Sequence, residues 1–446
     1  MRRETRTNAT LAASLALSAC FNPPPADDPT TAPTAPSSSS SVGSAALTDD
    51  PATTSTTSTT EPATSHGPTP DDTTRASTVT GEPDPTGTAT TTVGSDTATT
   101  DGPGFGFEVA GTIALNSPYA LAAGDFDGDD LDDLAVTSSS PQNPEFSVIY
   151  GATPDTPHAY SAGDAVALAL ADFDGDGFDD VALAQLSTSS LVSYLRDPDN
   201  DLFMAATPTP LAPECTQPSS LALGQINPMT DGFTDAVVGC LGAGETRLLS
   251  GLMNGNWALP VAATPMTMLL ADSVGLAEIT ATDAVDLVVV SPPQNTVTVF
   301  AGNDVTFNEL MPAEFTVKNG AGVAVGRLDA DDYPDFAVAS RTDGTCHLFH
   351  GSKFTVTEKP AQPCGGALED VALADFTDDG LDDLLTLHTD ELHVAVNLGD
   401  GTFAPPFIAP LAGPALRATT GFFNDDPLRD IALTTATAVV VLHQTP

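Results

Sequence analysis

Beyond about residue 105 the chain is written in short apolar runs, among them VALALAD, DVALAQL, SVIYG, NTVTVF, CHLFHG and ELHVAVN, separated by clusters of Asp, Gly, Asn, Ser and Pro. Runs this short, rich in Val, Ala and Leu and bounded by turn formers, predict β-strands rather than helices. Their order repeats. An apolar strand enters an acidic loop, a second leaves it, and a third follows. A Gly/Asn/Asp turn with an aromatic then opens a fourth, as in Gly255-Asn256-Trp257, Gly351-Ser352-Lys353-Phe354 and Gly399-Asp400-Gly401-Thr402-Phe403. The aspartate closing each acidic loop recurs at Asp133, Asp180, Asp235, Asp286, Asp335, Asp383 and Asp430, spaced 47, 55, 51, 49, 48 and 47 residues apart. Seven units of four antiparallel strands predict an all-β fold, a seven-bladed β-propeller.

A propeller must close its ring, and the two ends of the pattern show how. The last unit stops after TAVVVLHQTP with no fourth strand, whereas PGFGFEVAGTIAL (103–115) leads into the first acidic loop just as GTFAPPFIAPLAG (401–413) leads into the seventh unit. Residues 105–113 are therefore expected to form the outer strand of the seventh blade, against 438–442.

The sharpest chemistry lies in ADFDGDGFDDVALA (171–184). Asp172, Asp174 and Asp176 recur every second residue, Gly177 allows a sharp turn, and Asp180 closes the loop, so several oxygens converge on one hard cation. The loop lacks the glutamate that ends an EF-hand loop and is flanked by strands, which makes it a strand-loop-strand calcium (Ca2+) site. The first unit offers Asp125, Asp127, Asp129, the Leu131 carbonyl and Asp133. The second offers Asp172, Asp174, Asp176, the Phe178 carbonyl and Asp180. The sixth offers Asp375, Thr377, Asp379, the Leu381 carbonyl and Asp383. In the third, Gln225, Asn227, Asp231 and Asp235 are split by an insertion, and the fourth keeps only Asp283 and Asp286. The fifth has Arg327 where the first aspartate belongs, beside Asp329, Asp331 and Asp335, so that a guanidinium could neutralise the loop in place of a metal. The seventh (Phe422, Asn424, Asp426, Asp430) lacks its opening ligand.

These units resemble the FG-GAP/VCBS repeat family, whose members include the head domain of integrin α-subunits and many bacterial exported proteins. The resemblance runs through all seven units and is strongest at DFDGDDLDDLAV (125–136), DFDGDGFDDVAL (172–183) and DFTDDGLDDLL (375–385).

Blade topology places the first-to-second and third-to-fourth turns on one face of the disc, and the second-to-third loops and inter-blade links on the other. Cys215 falls in the link entering blade 3 and Cys240 at the end of that blade's second strand. Cys346 starts the third strand of blade 5, and Cys364 lies in the link to blade 6. All four lie on the face away from the acidic loops, which predicts the pairs Cys215 with Cys240 and Cys346 with Cys364, each contributing about 3 kcal/mol. The same face collects the irregular segments 138–146, 207–218, 291–295 and 340–344, where binding is usually placed on a rigid scaffold.

The amino-terminal region differs in kind. Arg2, Arg3 and Arg6 precede a short apolar segment, and Leu17-Ser18-Ala19-Cys20 resembles the lipobox of a bacterial lipoprotein, implying a signal peptide over 1–19 and acylation of Cys20. The alternative is an ordinary secretory signal cut near Ser18 or Ala19. Residues 20–103, rich in Thr, Ser and Pro, read as a disordered tether. Residues 104–446 form the propeller, the expectation being a monomer of the bacterial cell envelope held to the membrane only through the Cys20 lipid.

Charge narrows the partners. A formal net charge of −47, with thirteen Lys and Arg in all, argues against nucleic acid and anionic membrane surfaces. No G-x-S-x-G, H-E-x-x-H or glycine-rich phosphate loop occurs, and His347 and His350 read as surface or strand-edge residues. The expected function is a calcium-stabilised, non-catalytic module that binds a protein or glycan. The alternative is an envelope enzyme acting on polysaccharide.

Overall fold

The computed structural model describes residues 104–446, apart from 139–144, 153–156, 198, 201, 227–231, 243, 260, 263–272, 281–283 and 303–306. The signal peptide, Cys20 and the tether thus lie outside the described residues, as do Asn227, Asp231 and Asp283. Among the described residues, no helix is long and apolar enough to cross a membrane.

Seven antiparallel sheets follow one another around a closed ring, each with the strand order the sequence predicts. Blade 1 comprises Pro118–Gly124, Asp133–Ser138, Glu145–Ile149 and His158–Ser161, and blade 2 begins with Ala165–Ala171, Asp180–Gln185 and Ser190–Asp197. The later blades repeat this plan, blade 5 with Gly320–Gly326, Asp335–Ser340 and Thr345–His350, and blade 6 with Leu368–Ala374, Asp383–His388, Glu391–Ala395 and Phe407–Pro410. In all seven blades the second strand starts at the closing aspartate. The first strands of successive blades pack side by side around the axis, and the first strand of blade 1 meets that of blade 7.

Closure takes the expected form. Gly106–Ala114 pairs antiparallel with Ala438–Thr445, with Ile113 opposite Val439 and Gly106 opposite Thr445, and so completes blade 7. Phe107 and Ile113 are buried by this pairing, so the chain ends are held by apolar burial as well as by a ladder of hydrogen bonds.

Among the described residues the core is not one cluster but seven, each lying between two neighbouring blades. Because side chains alternate across a strand, one strand feeds two interfaces. In blade 2, Val181 and Leu183 pack toward blade 1, while Ala182 and Ala184 pack toward blade 3. Both faces of the second strands are therefore buried, which explains their unbroken apolar composition.

Both disulfides join the expected partners, Cys215 with Cys240 and Cys346 with Cys364, at Cα separations of 5.2 and 5.8 Å.

Candidate metal centre

The acidic loops leave the first strands at one rim of the disc, and their backbone is wound by their own aspartates. In blade 2, Asp172 accepts the Gly175 and Asp176 amides on Oδ1 (2.6 and 3.2 Å) and the Gly177 amide on Oδ2 (3.0 Å). Asp174 accepts from Asp176, and Asp176 from Phe178. Blade 1 repeats this with Asp125, Asp127 and Asp129 accepting the amides of Gly128, Asp129 and Leu131. In blade 6, Asp375 accepts from Thr377, Asp379 and Gly380. Gly128, Gly175, Gly177 and Gly380 take positive φ at these bends, a region open to glycine at little steric cost.

Winding gathers the carboxylates. Oxygens of Asp125, Asp127 and Asp133, and of Asp172, Asp174 and Asp180, lie within 4.8 Å of one another. The cost of that proximity is visible in the acid strengths. Burial, then the Asp129 and Asp125 charges, push Asp127 above the usual carboxylate range, and burial with Asp176 and Asp172 does the same to Asp174. Burial raises Asp133 and Asp180 to about 7. A donor set made only of oxygens, crowded with like charge, suits a hard divalent cation. Blade 6 differs. Among the described residues no third carboxylate joins its cluster, because Thr377 stands where blades 1 and 2 have Asp127 and Asp174.

The closing aspartates carry a second task that spacing alone does not reveal. In each of the seven blades this residue is fully buried. Its Oδ2 accepts an amide of the loop and its Oδ1 an amide at the end of the third strand. In blade 1 these are Phe126 (3.0 Å) and Gly151 (2.6 Å), and in blade 2 Phe173 (2.8 Å) and Arg196 (2.6 Å). Blade 4, whose described residues gather no carboxylate set, keeps the same pair, Thr280 (2.7 Å) and Gly302 (2.9 Å). Blades 3, 5, 6 and 7 do likewise through Asp235, Asp335, Asp383 and Asp430. The closing aspartate is thus a staple between loop and third strand, present with or without a metal set.

The aspartate just before it has a different use. Asp132 accepts the Phe422 amide (2.7 Å) and returns its own N–H to the Phe422 carbonyl (2.8 Å), joining blade 1 to blade 7. Asp382 makes the same two-bond clasp with Arg327 (2.6 and 2.7 Å), joining blade 6 to blade 5. Asp179 lies against Gly124 of blade 1, where a Cβ would stand 2.6 Å from its Oδ2. Glycine likewise ends the first strand beside Asp382 (Gly326) and Asp132 (Gly421). The Asp-Asp doublet together with a glycine one blade earlier was the available signal.

The opposite rim holds a smaller polar cluster. Asp370, Arg417 and Tyr119 sit at or near the start of the first strands of blades 6, 7 and 1. Asp370 accepts the Ala418 amide (3.1 Å), while Arg417 donates to the Tyr119 hydroxyl (3.2 Å) and lies over its ring. Burial lifts the Asp370 carboxyl to about 6, against the pull of Arg417.

Histidines are less peripheral than strand position suggests. His350 is 5% exposed and bonded to Asp329, and His388 is 4% exposed with Nδ1 at 2.7 Å from the Gly366 carbonyl. A side chain at a strand end is buried here because the neighbouring loop folds over it.

Comparison with known proteins supports this architecture. No curated protein matches the chain. Among solved structures, BBS1N in complex with ARL6DN, soaked with mercury, is similar with a TM-score of 0.56 at 12% identity, over 76% of this chain and 97% of that one. The lead-soaked form of the same complex is similar with a TM-score of 0.53 at 12% identity, over 76% and 95%. An Agrocybe aegerita lectin specific for non-reducing terminal N-acetylglucosamine gives 0.46 at 13% identity, over 72% and 85%. At such identities the likeness speaks to fold alone. Residues 117–147, most of blade 1 with its acidic loop, match the FG-GAP repeat model, and the chain is a seven-bladed β-propeller whose first blade is similar to that repeat.

Proposed function

We propose that the protein is a non-catalytic binding or scaffold module of the bacterial cell envelope. It is exported, tethered by a lipid on Cys20, stabilised by calcium at one rim of the propeller, and engaged by a protein or glycan at the other. The observation that carries this reading is the division between the rims. The carboxylate sets converge on one side, while both disulfides staple loops on the other. Rigid scaffolds present recognition on stapled, irregular loops of this kind. BBS1N, similar in fold, is found in complex with ARL6DN. That complex supports the use of such a scaffold for protein recognition by analogy only.

Calcium would be held by the blade 1 and blade 2 sets and, with one charge fewer, by Asp375, Thr377, Asp379, the Leu381 carbonyl and Asp383. It serves stability and not reaction, by binding the folded state alone. Two measurements test the reading. Excess EDTA is expected to lower the melting temperature, and unchanged melting and protease resistance would refute the calcium role. An array of glycans and surface proteins, probed with and without calcium, is expected to give a ligand whose binding is lost when residues 207–218 are replaced.

The enzyme alternative has one observation in its favour, the meeting of Tyr119, Arg417 and Asp370 near the inner strands. Asp370 and Arg417 are only 3% and 5% exposed and bond to their own neighbours, which suits a strut between blades. Hydrolysis of a polysaccharide panel that disappears in Asp370→Asn would restore the alternative.

A further inference from the structure

Blade 5 keeps Asp329, Asp331 and Asp335 and blade 7 keeps Asp426 and Asp430, but neither keeps the opening aspartate, which is replaced by Arg327 and Phe422. Something else must offset the remaining charge. The staple provides a common reference point. The amide that bonds Oδ1 of the closing aspartate belongs to Gly151, Arg196 and Asn397 in blades 1, 2 and 6, and to Gly351 and Gln444 in blades 5 and 7. The residue just before it is Tyr150, Leu195 and Val396 in the first group, and His350 and His443 in the second. A histidine thus stands at the equivalent place in blades 5 and 7, whereas blades 3 and 4, which also lack the opening aspartate, have Ser250 and Ala301 there.

In blade 5 the contact is close. Nδ1 of His350 lies 2.6 Å from Oδ2 of Asp329, and the ring falls within 4.8 Å of both the Asp329 and Asp335 carboxylates. The ring thus occupies ground equivalent to the gathered carboxylates of blades 1 and 2. Arg327 adds a second cation, its guanidinium bonding the Asp331 carbonyl at 3.3 Å. Asp331 and Asp332 in the loop, Asp382 against Arg327, and Lys359 are further charged groups near it. Burial pushes the Asp329 carboxyl up, yet the Asp331 amide and the His350 ring outweigh it and hold Asp329 below the usual carboxylate range. Blade 7 repeats the arrangement more loosely. His443 Nε2 is 4.0 Å from Oδ2 of Asp430, with Glu108 directly across the ladder and Asp426 in the loop. Arg429 lies over the ring of Phe422.

We propose that in blades 5 and 7 a histidine from the third strand and an arginine of the loop together take the electrostatic place that a divalent cation takes in blades 1 and 2, so that these two loops are held without metal. The proposal rests on the calcium reading for its contrast, but the fate of His350 can be measured independently of it. The Arg327 and Arg429 guanidiniums are permanent cations, and each histidine sets a ring nitrogen toward an acidic residue of its loop.

Hydrogen exchange read by mass spectrometry on the full chain tests this. EDTA is expected to lower protection of residues 125–133 and 172–180 by about tenfold or more, and to leave 327–335 and 422–430 unchanged. His350→Ala should lower protection of 327–335 by a similar factor with or without calcium, and His443→Ala that of 422–430. The double variant Arg327→Asp with His350→Tyr, which copies Asp125 and Tyr150 of blade 1, should make 327–335 sensitive to EDTA. Loss of protection at 327–335 when EDTA is added to the unaltered chain overturns the proposal, as does unchanged protection in His350→Ala. Zinc that raises the melting temperature of the unaltered chain but not of His350→Ala also overturns it, since the ring would then be a metal ligand. If 125–133 and 172–180 ignore EDTA, the calcium reading falls, and the His350→Ala comparison still decides blade 5.

Discussion

The loops of blades 2 and 4 occupy the same place in the ring but differ in nearly every acidic residue. Blade 2 gathers Asp172, Asp174 and Asp180, whereas blade 4, among its described residues, has Glu278 and Asp286 and gathers no such set. Yet Asp180 and Asp286 are equally buried and hold equivalent pairs of backbone amides. The difference separates two functions that share one residue. The staple belongs to the fold and appears in all seven blades. The crowded carboxylates belong to the site and appear where the loop supplies them.

Removing the staple should give the largest effect. Asp180→Ala and Asp286→Ala each strand two buried amides, and each is expected to cost about 3–5 kcal/mol in urea unfolding. If Asp286→Ala costs less than about 1 kcal/mol, the staple is not general and the comparison fails.

Next in size is a pH effect away from the loops, which gives the background against which loop titration is judged. Asp370 has a folded-state value of about 6 against an ordinary value of 3.8. The folded protein therefore holds this proton over a window in which the unfolded chain has lost it, so stability is favoured at low pH and declines as pH rises from about 4 through about 6. Asp370→Asn should remove up to about 3 kcal/mol of this decline in metal-free buffer, seen as a flatter dependence of melting temperature on pH. An unchanged slope would mean that the Arg417 charge already holds Asp370 ionised.

The smallest effect concerns the metal set itself. With affinities of about 10⁻⁴ M and calcium at about 2 mM, one site adds about 2 kcal/mol. Asp127→Asn should lose most of that increment in blade 1 while leaving metal-free stability unchanged or slightly raised, because one repelling charge is gone. A calcium response as large as that of the unaltered chain would show that Asp127 is not a ligand.

Much of this was legible beforehand. Seven closing aspartates at near-constant spacing predicted seven blades, and the surplus segment at 105–113 predicted its pairing with the final strand, now seen as Gly106–Ala114 against Ala438–Thr445. The cysteine pairs followed from the faces to which blade topology assigns each turn. What escaped was the contact list of each acidic residue. Asp132 and Asp382, which the ligand spacing passes over, clasp the preceding blade. His350 looked like a strand-edge residue and is buried against Asp329.

Strand alternation, turn chemistry and repeat length are local properties, each readable within a few tens of residues, and the primary structure alone settled blade number, ring closure and disulfide partners on that basis. The partner of a carboxylate is not local. Asp133 meets an amide 18 residues away, and Asp132 one that is 290 residues away. Only the packed ring brings those groups together. Tertiary structure therefore decided which aspartates gather as a prospective cation set and which are consumed in holding one blade to itself and to the next.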